Sequence, residues 1–306
     1  MARHLLHRFL LTLPAVWLVL TLVFLLIHIV PGDPVEQMLG EGAAPGQIEQ
    51  LRHTLGLDQP ILVQYGHYLS ETVRGELGQS FKFQAPVRHI IFERYPATLQ
   101  LAFLALMVCA AIGIPAGVFA AYRRGHTSDR AIGVLTLFGL AMPNFALGPL
   151  LITLFSIKLG WLPVSGRGGP LHYILPAATL GAALAAILTR MVRGAMLEEL
   201  SSDYVRTARA KGLSTFLVLT HHALRNALIP IITILGLQFG TLLAGTIVTE
   251  TIFSWPGIGR LTVQAISSRD YPLLQGCILV IALSYVFVNL FTDFLYAFID
   301  PRVRVS

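Results

Sequence analysis

Side chains able to do chemistry are few in this chain and gather in one place. Residues 190–225 carry six bases (Arg190, Arg193, Arg206, Arg209, Lys211 and Arg225) against three acids. Elsewhere the candidates stand alone. Cys109 and Cys277 sit in apolar runs without CxxC spacing or a neighbouring His or acid, which argues against a disulfide framework or a zinc site. Adjacent His221 and His222 would point about 100° apart on a helix, the wrong geometry for a shared metal, so no metal site is expected. There is no GxxxxGK[ST], HExxH or GxSxG, so the chain cannot by itself cradle a nucleotide, and no hydrolase or metal motif is present. An ion-coupled transporter buries acids within its spans. Here His28 is the one titratable side chain well inside an apolar run, and it reads as a helix-end His bonded to a neighbour. A membrane enzyme and a stand-alone secondary transporter or channel are both disfavoured.

The elements that must position residues 190–225 follow from composition. Of 306 residues, 55% are hydrophobic and only 12% charged, and mean hydropathy is +0.69. Soluble domains carry about 25% charge, and disordered chains need low hydrophobicity, so an integral membrane protein is indicated. Six stretches lack any charge: 9–32, 95–122, 131–157, 168–189, 226–249 and 271–292. Each reaches the roughly 20 residues that cross a bilayer as a helix, and none shows the short alternation of a membrane β-strand. The expectation is an all-α integral membrane protein with six transmembrane helices.

Charge in the remaining segments sets the orientation. With the N-terminus inside, segments 1–8, 123–130, 190–225 and 293–306 hold 13 Lys/Arg and 6 acids, and the outer segments hold 9 and 10. The short loop 123–130, with three arginines, weighs most under the positive-inside rule. Both termini are therefore expected in the cytoplasm, with loop 158–170 a mild exception. Arg3 and Arg8 before an apolar run resemble a signal peptide. The run continues to Val30, however, and Pro31-Gly32-Asp33-Pro34 is no cleavage site, so an uncleaved first helix is expected.

Two regions follow: 1–96, a first helix plus an extracytoplasmic insert, and 97–306, a five-helix core with the loop 190–225. Within the insert, Pro45 opens a helix with Ile48, Leu51 and Leu55 inward that ends at Gly56, and Gln64 to Val73 form a second. Pro86 to Tyr95 read as an elbow along the interface. Gly113-x-x-x-Gly117 and Gly236-x-x-x-Gly240 permit close helix contact, and Pro115, Pro143 and Pro149 predict kinks. Asn289, Asp293, Tyr296 and Asp300 share one face of the last helix near its inner end, as a polar lining or a hydrogen-bond network.

The 36-residue inner loop is far longer than a linker requires. Ser201/Ser202 offer an N-cap, Asp203 suits the positive helix start, and Arg206, Arg209 and Lys211 lie toward the negative end. Gly212 stops this helix and Ser214 caps the next. Two readings fit equally: an interfacial helix on anionic lipid, or a knob seated in a partner's groove.

The run Asp203-Tyr204-Val205-Arg206-Thr207-Ala208-Arg209-Ala210-Lys211-Gly212, with Ala223-Leu224-Arg225-Asn226-Ala227-Leu228-Ile229-Pro230 beyond it, resembles the permease signature of binding-protein-dependent ABC importers. Gly212 takes the signature glycine and Arg206-Thr207-Ala208 its EAA triplet, of which the last Ala matches strictly. The spacing from Gly212 to Pro230 is longer than in the generic pattern. Val30–Pro34, Leu55-Gly56-Leu57-Asp58-Gln59-Pro60, Gly75-Glu76-Leu77-Gly78, Leu159-Gly160-Trp161-Leu162-Pro163, Glu250 to Gly259, and Asp300-Pro301-Arg302 resemble further hallmarks of the dipeptide/oligopeptide (peptide/nickel) class, in order.

That resemblance implies the type I importer permease fold and a B-type subunit that pairs with a homologous second permease as a heterodimer. It also implies two cytoplasmic ATPase subunits, which bind ATP and Mg, and an extracytoplasmic substrate-binding protein, with no nucleic acid involved. This chain would be non-catalytic and hold no cofactor, in a bacterial inner membrane. Di-/oligopeptides are the expected cargo, with nickel, glutathione or opine-like compounds as alternatives. Asp203, Tyr204, Arg206, Thr207, Ala208, Arg209, Ala210, Lys211 and Gly212 would form the ATPase-coupling helix, slim at Thr207 and Ala208. Phe253, Trp255, Pro256 and Gly257 would form an outer gate or scoop, or else a simple aromatic-belt anchor.

Overall fold

A computed structural model describes residues 2–29, 35, 45–54 and 56–299. Val30–Pro34, Leu55 and Asp300 to Arg302, three of the resemblance-bearing stretches, lie outside the described residues, as do the side chains of His28 and Leu51. The described residues are helical almost throughout, with one isolated bridge between Gln79 and Pro86. In chain order the helices are α1 (Ala2–Ile29), α2 (Pro45–Thr54), α3 (Ile61–Val73), α4 (Val87–Tyr122), α5 (Thr127–Ala141), α6 (Asn144–Leu151), α7 (Ile174–Leu200), α8 (Asp203–Ala210), α9 (Thr215–Leu217), α10 (Leu224–Gly245), α11 (Ile247–Ile252), α12 (Ile258–Ser267) and α13 (Tyr271–Ile299). Two π-helical turns, Ile152–Lys158 and Val218–Ala223, follow α6 and precede α10.

Among the described residues, four helical segments are long and apolar enough to span a membrane: Val87–Tyr122, Pro170–Leu200, Thr215–Ala244 and Tyr271–Phe294. The first charge-free stretch lies in α1, with Leu10–Leu25 its apolar part among the residues whose side chains are described, and the third is broken, with α5 and Asn144–Lys158 meeting at 102°. Among the described residues this gives four long spans, or five with the broken pair counted as one, and the third stretch is not a uniform helix. The physical reason is Pro143, which has no N–H and pushes the residue before it out of the helical region. Met142 accordingly adopts φ −85°, ψ 112°. The predicted elbow also differs: α4 runs unbroken through Pro96. The carbonyl left without its partner is that of Phe92, which is 75% exposed, so surroundings can satisfy it.

Small residues set the helix contacts. A Cβ on Gly181 would lie 2.7 Å from the Ala105 carbonyl, one on Gly113 2.9 Å from Leu188, and one on Gly117 2.6 Å from Val192. Contacts that advance together along both chains mean that α4 and α7 run parallel. Gly236 faces Thr292 at 2.4 Å and Gly240 faces Tyr285 at 3.3 Å, so α10 and α13 run antiparallel. The expected glycine pairs are therefore contact sites, as close packing without a hydrophobic driving force requires. Large apolar side chains such as Phe103, Leu135, Phe138, Phe287 and Phe291 coat the exterior.

The broken pair crosses the whole bundle. It starts where Asp129 meets Arg193, passes Gly139 against Ala186, and ends with Ile152 beside Leu175 and Phe253. The bundle thus has an α8 end and a Trp255 end. At the latter, the insert is pinned by buried Asp270, which accepts from Ser80 Oγ at 2.5 Å and Lys82 N at 3.1 Å while capping α13 through Leu273 N at 3.2 Å.

Candidate functional site

An isolated helix of eight residues is marginal in water, so α8 must borrow its stability. Val205 and Ala208 supply it: both are buried and pack with Val218, edged by Leu200 and Leu213. Neither serine before it caps the helix. Ser201 Oγ donates to the Glu198 carbonyl at 2.7 Å and Ser202 Oγ to the Glu199 carbonyl at 2.6 Å, which ends α7 instead. Tyr204 Oη donates to the Glu199 carboxylate and holds the start of α8 against the end of α7.

Gly212 takes φ +77°, the left-handed conformation that an L side chain resists. Its N–H donates to the Arg209 carbonyl at 3.0 Å and the Leu213 N–H to the Ala208 carbonyl at 3.3 Å, so the chain doubles back and seats Leu213 on the buried cluster. Ser214 Oγ then accepts from Leu217 N at 3.4 Å, as its capping position predicted.

What remains turned outward is Asp203, Tyr204, Arg206, Thr207, Arg209, Ala210, Lys211 and Gly212. Arg206 reaches Asp203 at 3.5 Å but is 82% exposed, a geometry worth little in water. Arg209 and Lys211 have no carboxylate within ion-pair distance among the described residues. Ala208 is turned inward, so its small side chain packs against Val218 within this chain. The product is a rigid helix with a basic outer face and an apolar inner one.

Beside this helix lies a contact with no local sequence signal. Arg193 Nε and Nη2 donate to the Asp129 carboxylate at 2.7 and 2.8 Å, and Gly125 N donates to it at 3.0 Å. This two-pronged pair joins the start of α5 to the last turns of α7, the helix that leads into α8.

At the opposite end, α11 and α12 form a hairpin folded onto the start of α4. Phe253 and Trp255 are 1% and 0% exposed, so neither ring anchors at a membrane interface. Trp255 Nε1 donates to the Ala97 carbonyl at 2.9 Å, and its ring meets Tyr173 edge-on at 4.8 Å. Pro256 and Gly257 make the turn itself. Glu250, fully buried, organises it. Its carboxylate accepts from Thr98 Oγ1 at 2.6 Å, Thr246 Oγ1 at 3.0 Å and Arg260 N at 2.9 Å. A Cβ on Gly257 would fall 2.2 Å from Glu250 Oε1. The sequence marks Glu250 only as the first residue of a hallmark stretch and not as the centre of the turn; the signal for that role is the cluster Thr246, Glu250, Gly257, Gly259 after an otherwise uncharged run.

Of the polar face on α13, Asn289 Oδ1 is buried and lies near Gly240, while Thr292, one turn on, fills the notch at Gly236. Asp293 is partly buried on the same helix, Tyr296 falls within it by backbone, and Asp300 lies outside the described residues. Cys109 and Cys277 are buried free thiols. No group of three or more His, Cys, Asp or Glu among the described residues is placed to hold a metal.

Comparison with known proteins agrees with this architecture. Residues 113–305 match the family model of the binding-protein-dependent transport system inner membrane component, and residues 1–102 match the model of the N-terminal part of such components. The glutathione transport system permease protein GsiC of Escherichia coli K12 is 45% identical over 304 residues, covering 99% of both chains, and its counterpart in Shigella dysenteriae serotype 1 matches to the same degree. A solved inward-facing structure of the MetNI methionine ABC transporter superposes with a TM-score of 0.58 at 17% identity, over 69% of this chain and 96% of that one. That likeness concerns the fold. The chain is a multi-pass inner-membrane protein and belongs to the binding-protein-dependent transport system inner membrane components, the permease subunits of ABC-type importers.

Proposed function

We propose that this chain forms half of the pathway of an ATP-driven importer and takes its energy from a separate ATPase through α8. The carrying observation is the build of that helix: Val205 and Ala208 anchor it inside, leaving Arg206, Arg209 and Lys211 on its exposed outer face. Charge balance supports placing α8 and both termini in the cytoplasm, and counting α1 and the broken pair as crossings gives six. A homologous second permease completes the pathway, two ATPase subunits bind ATP and Mg, and an extracytoplasmic binding protein delivers cargo to the Trp255 end. There the hairpin of Phe253, Trp255, Pro256 and Gly257 acts as the outer gate, and the polar face of Asn289, Asp293, Tyr296 and Asp300 stabilises the inner end.

Glutathione is the proposed cargo, supported by relatives of that description at 45% identity over nearly the full length. Glutathione is itself a γ-linked tripeptide, close in chemistry to the di-/oligopeptides that the motifs suggested. Uptake by the complete importer in vesicles, with labelled glutathione and unlabelled competitors, tests the assignment. Glutathione should be taken up and resist competition by dipeptides, nickel chelates and opines. Efficient uptake of any of these with none of glutathione would overturn it.

A further inference from the structure

The segment between the docking helix and the membrane span contains one residue more than an α-helix would use. Val218–Ala223 is a π-turn, and the N–H of Leu224 bonds to the carbonyl of Leu219, five residues back. Its two inward side chains are five residues apart: Val218, 1% exposed, and Ala223, fully buried. In an α-helix, residues five apart lie roughly 140° from one another around the axis, so one of the two would face outward. The i→i+5 bonding of a π-turn returns the fifth residue to about the place that the fourth holds in an α-helix. One inward line therefore runs through Val218, Ala223, Ala227 and Ile231, the last three at ordinary α-helical spacing of four.

The two ends of that line touch different bodies. Val218 packs on Val205 and Ala208, the buried face of α8. Ala223, Ala227 and Ile231 pack on Leu188, Val192 and Met196 of α7 and on Cys109 of α4. Of the residues between, Leu219 is partly buried at the edge of the α7 cluster, while His221 is exposed and Thr220 and His222 are partly so, with Thr220 Oγ1 bonded back to the Phe216 carbonyl at 2.8 Å.

We propose that Val218 and Ala223 are the positioning pair that passes movement of α8 into α10, and that the π-turn exists to hold them in one register. The inference rests on α8 being the ATPase-docking helix. A push on α8 then acts on α10 and, through it, on the α4–α7 core, instead of turning α10 about its own axis.

The register account makes an unusual prediction about chain length. Removing His221 lets the turn close as α-helix with Val218 and Ala223 four apart, so the inward line survives. Adding one alanine after His221 rotates everything beyond by about a quarter-turn. The experiment uses the complete importer in proteoliposomes and reads glutathione uptake per ATP hydrolysed, normalised to assembled complex. The chain lacking His221 should stay within about twofold of the unaltered chain, and the chain with the inserted alanine should lose at least tenfold. Val218→Ala, which keeps the length and empties the joint, should lower uptake per ATP severalfold with assembly unchanged, and it decides the matter if the insertion fails to assemble. Loss of coupling or assembly on removing His221, or unchanged coupling in either of the other two variants, would overturn the proposal. Arg206→Glu with Arg209→Glu serves as the control for the docking reading: if ATPase binding survives this pair, α8 is not the docking helix, and the failure lies there.

Discussion

Gly257→Ala should damage this protein far more than an exposed glycine substitution, and the structure says by how much. The added Cβ would meet Glu250 Oε1 at 2.2 Å, Cδ at 2.3 Å and Oε2 at 2.4 Å, so the whole carboxylate must withdraw. It cannot do so freely, because Thr98 Oγ1, Thr246 Oγ1 and Arg260 N all donate to it at 2.6–3.0 Å in a fully buried setting. A buried donor left without its acceptor costs about 1–3 kcal/mol, and losing two of the three gives roughly 2–6 kcal/mol. Glu250→Ala alone should cost about 3–5 kcal/mol, since it leaves the same buried donors without an acceptor.

The double variant Glu250→Ala/Gly257→Ala separates this account from simple additivity. With the carboxylate gone there is nothing for the new methyl to strike, so the pair should be little worse than Glu250→Ala alone. The interaction term would then be about 2 kcal/mol or more, well above the few tenths expected of independent sites. Thermal unfolding of the purified chain in detergent, followed by near-UV dichroism or tryptophan fluorescence, gives the four corners of the cycle. Strict additivity, or a Gly257→Ala chain as stable as the unaltered one, would refute the reasoning.

Three further outcomes follow from the same contacts. Gly212 has φ +77° and open space around it, so substitution there strains only the backbone, by about 1–2 kcal/mol; Gly212→Val should uncouple ATP hydrolysis from uptake with insertion intact, while Gly212→Asn, which tolerates the left-handed region, should retain most coupling. Asp129→Asn should weaken the two-pronged grip on Arg193 by about 1–3 kcal/mol and lower uptake per ATP; the charge-swapped pair Asp129→Arg/Arg193→Asp should recover part of it, and a silent single variant would remove that contact from the account. Gly236→Val should loosen α10 from α13, since even a Cβ would come within 2.4 Å of Thr292, and Gly236→Ala with Thr292→Ala should melt above Gly236→Val in the same unfolding assay.

Much of this was legible before the structure because it depends on short-range chemistry. Gly212 needed no partner to announce a bend, and Ser214 sits where a cap must. The charge-free stretches translated into apolar helices, and both GxxxG pairs became close contacts. Other features depend on what arrives from a distance. Trp255 reads as part of a gate or as an interfacial ring, and only the Ala97 carbonyl and Tyr173, which enclose it, decide against the second. Glu250 is only the first residue of a hallmark stretch until Thr98, about 150 residues earlier, meets it. Asp129 and Arg193 are 64 residues apart and carry no mutual signal in one sequence. The prolines were ambiguous for a different reason: Pro143 breaks its span, yet Pro96 and Pro115 are absorbed within α4, and local sequence does not say which carbonyls the surroundings will satisfy. Ala208 reads as part of the slim coupling helix, and its packing with Val205 on Val218 is what turns its side chain inward.

The central claim is that transport energy enters from another chain through α8. It is tested most directly by uptake into proteoliposomes containing this chain and its partner permease, with and without the cognate ATPase and binding protein, under ATP and under imposed proton or sodium gradients. Uptake should appear only with ATP and all components present, and should fall to background when Arg206, Arg209 and Lys211 are reversed in charge. Gradient-driven uptake by the two permeases alone, or ATP-driven uptake indifferent to those reversals, would contradict the account.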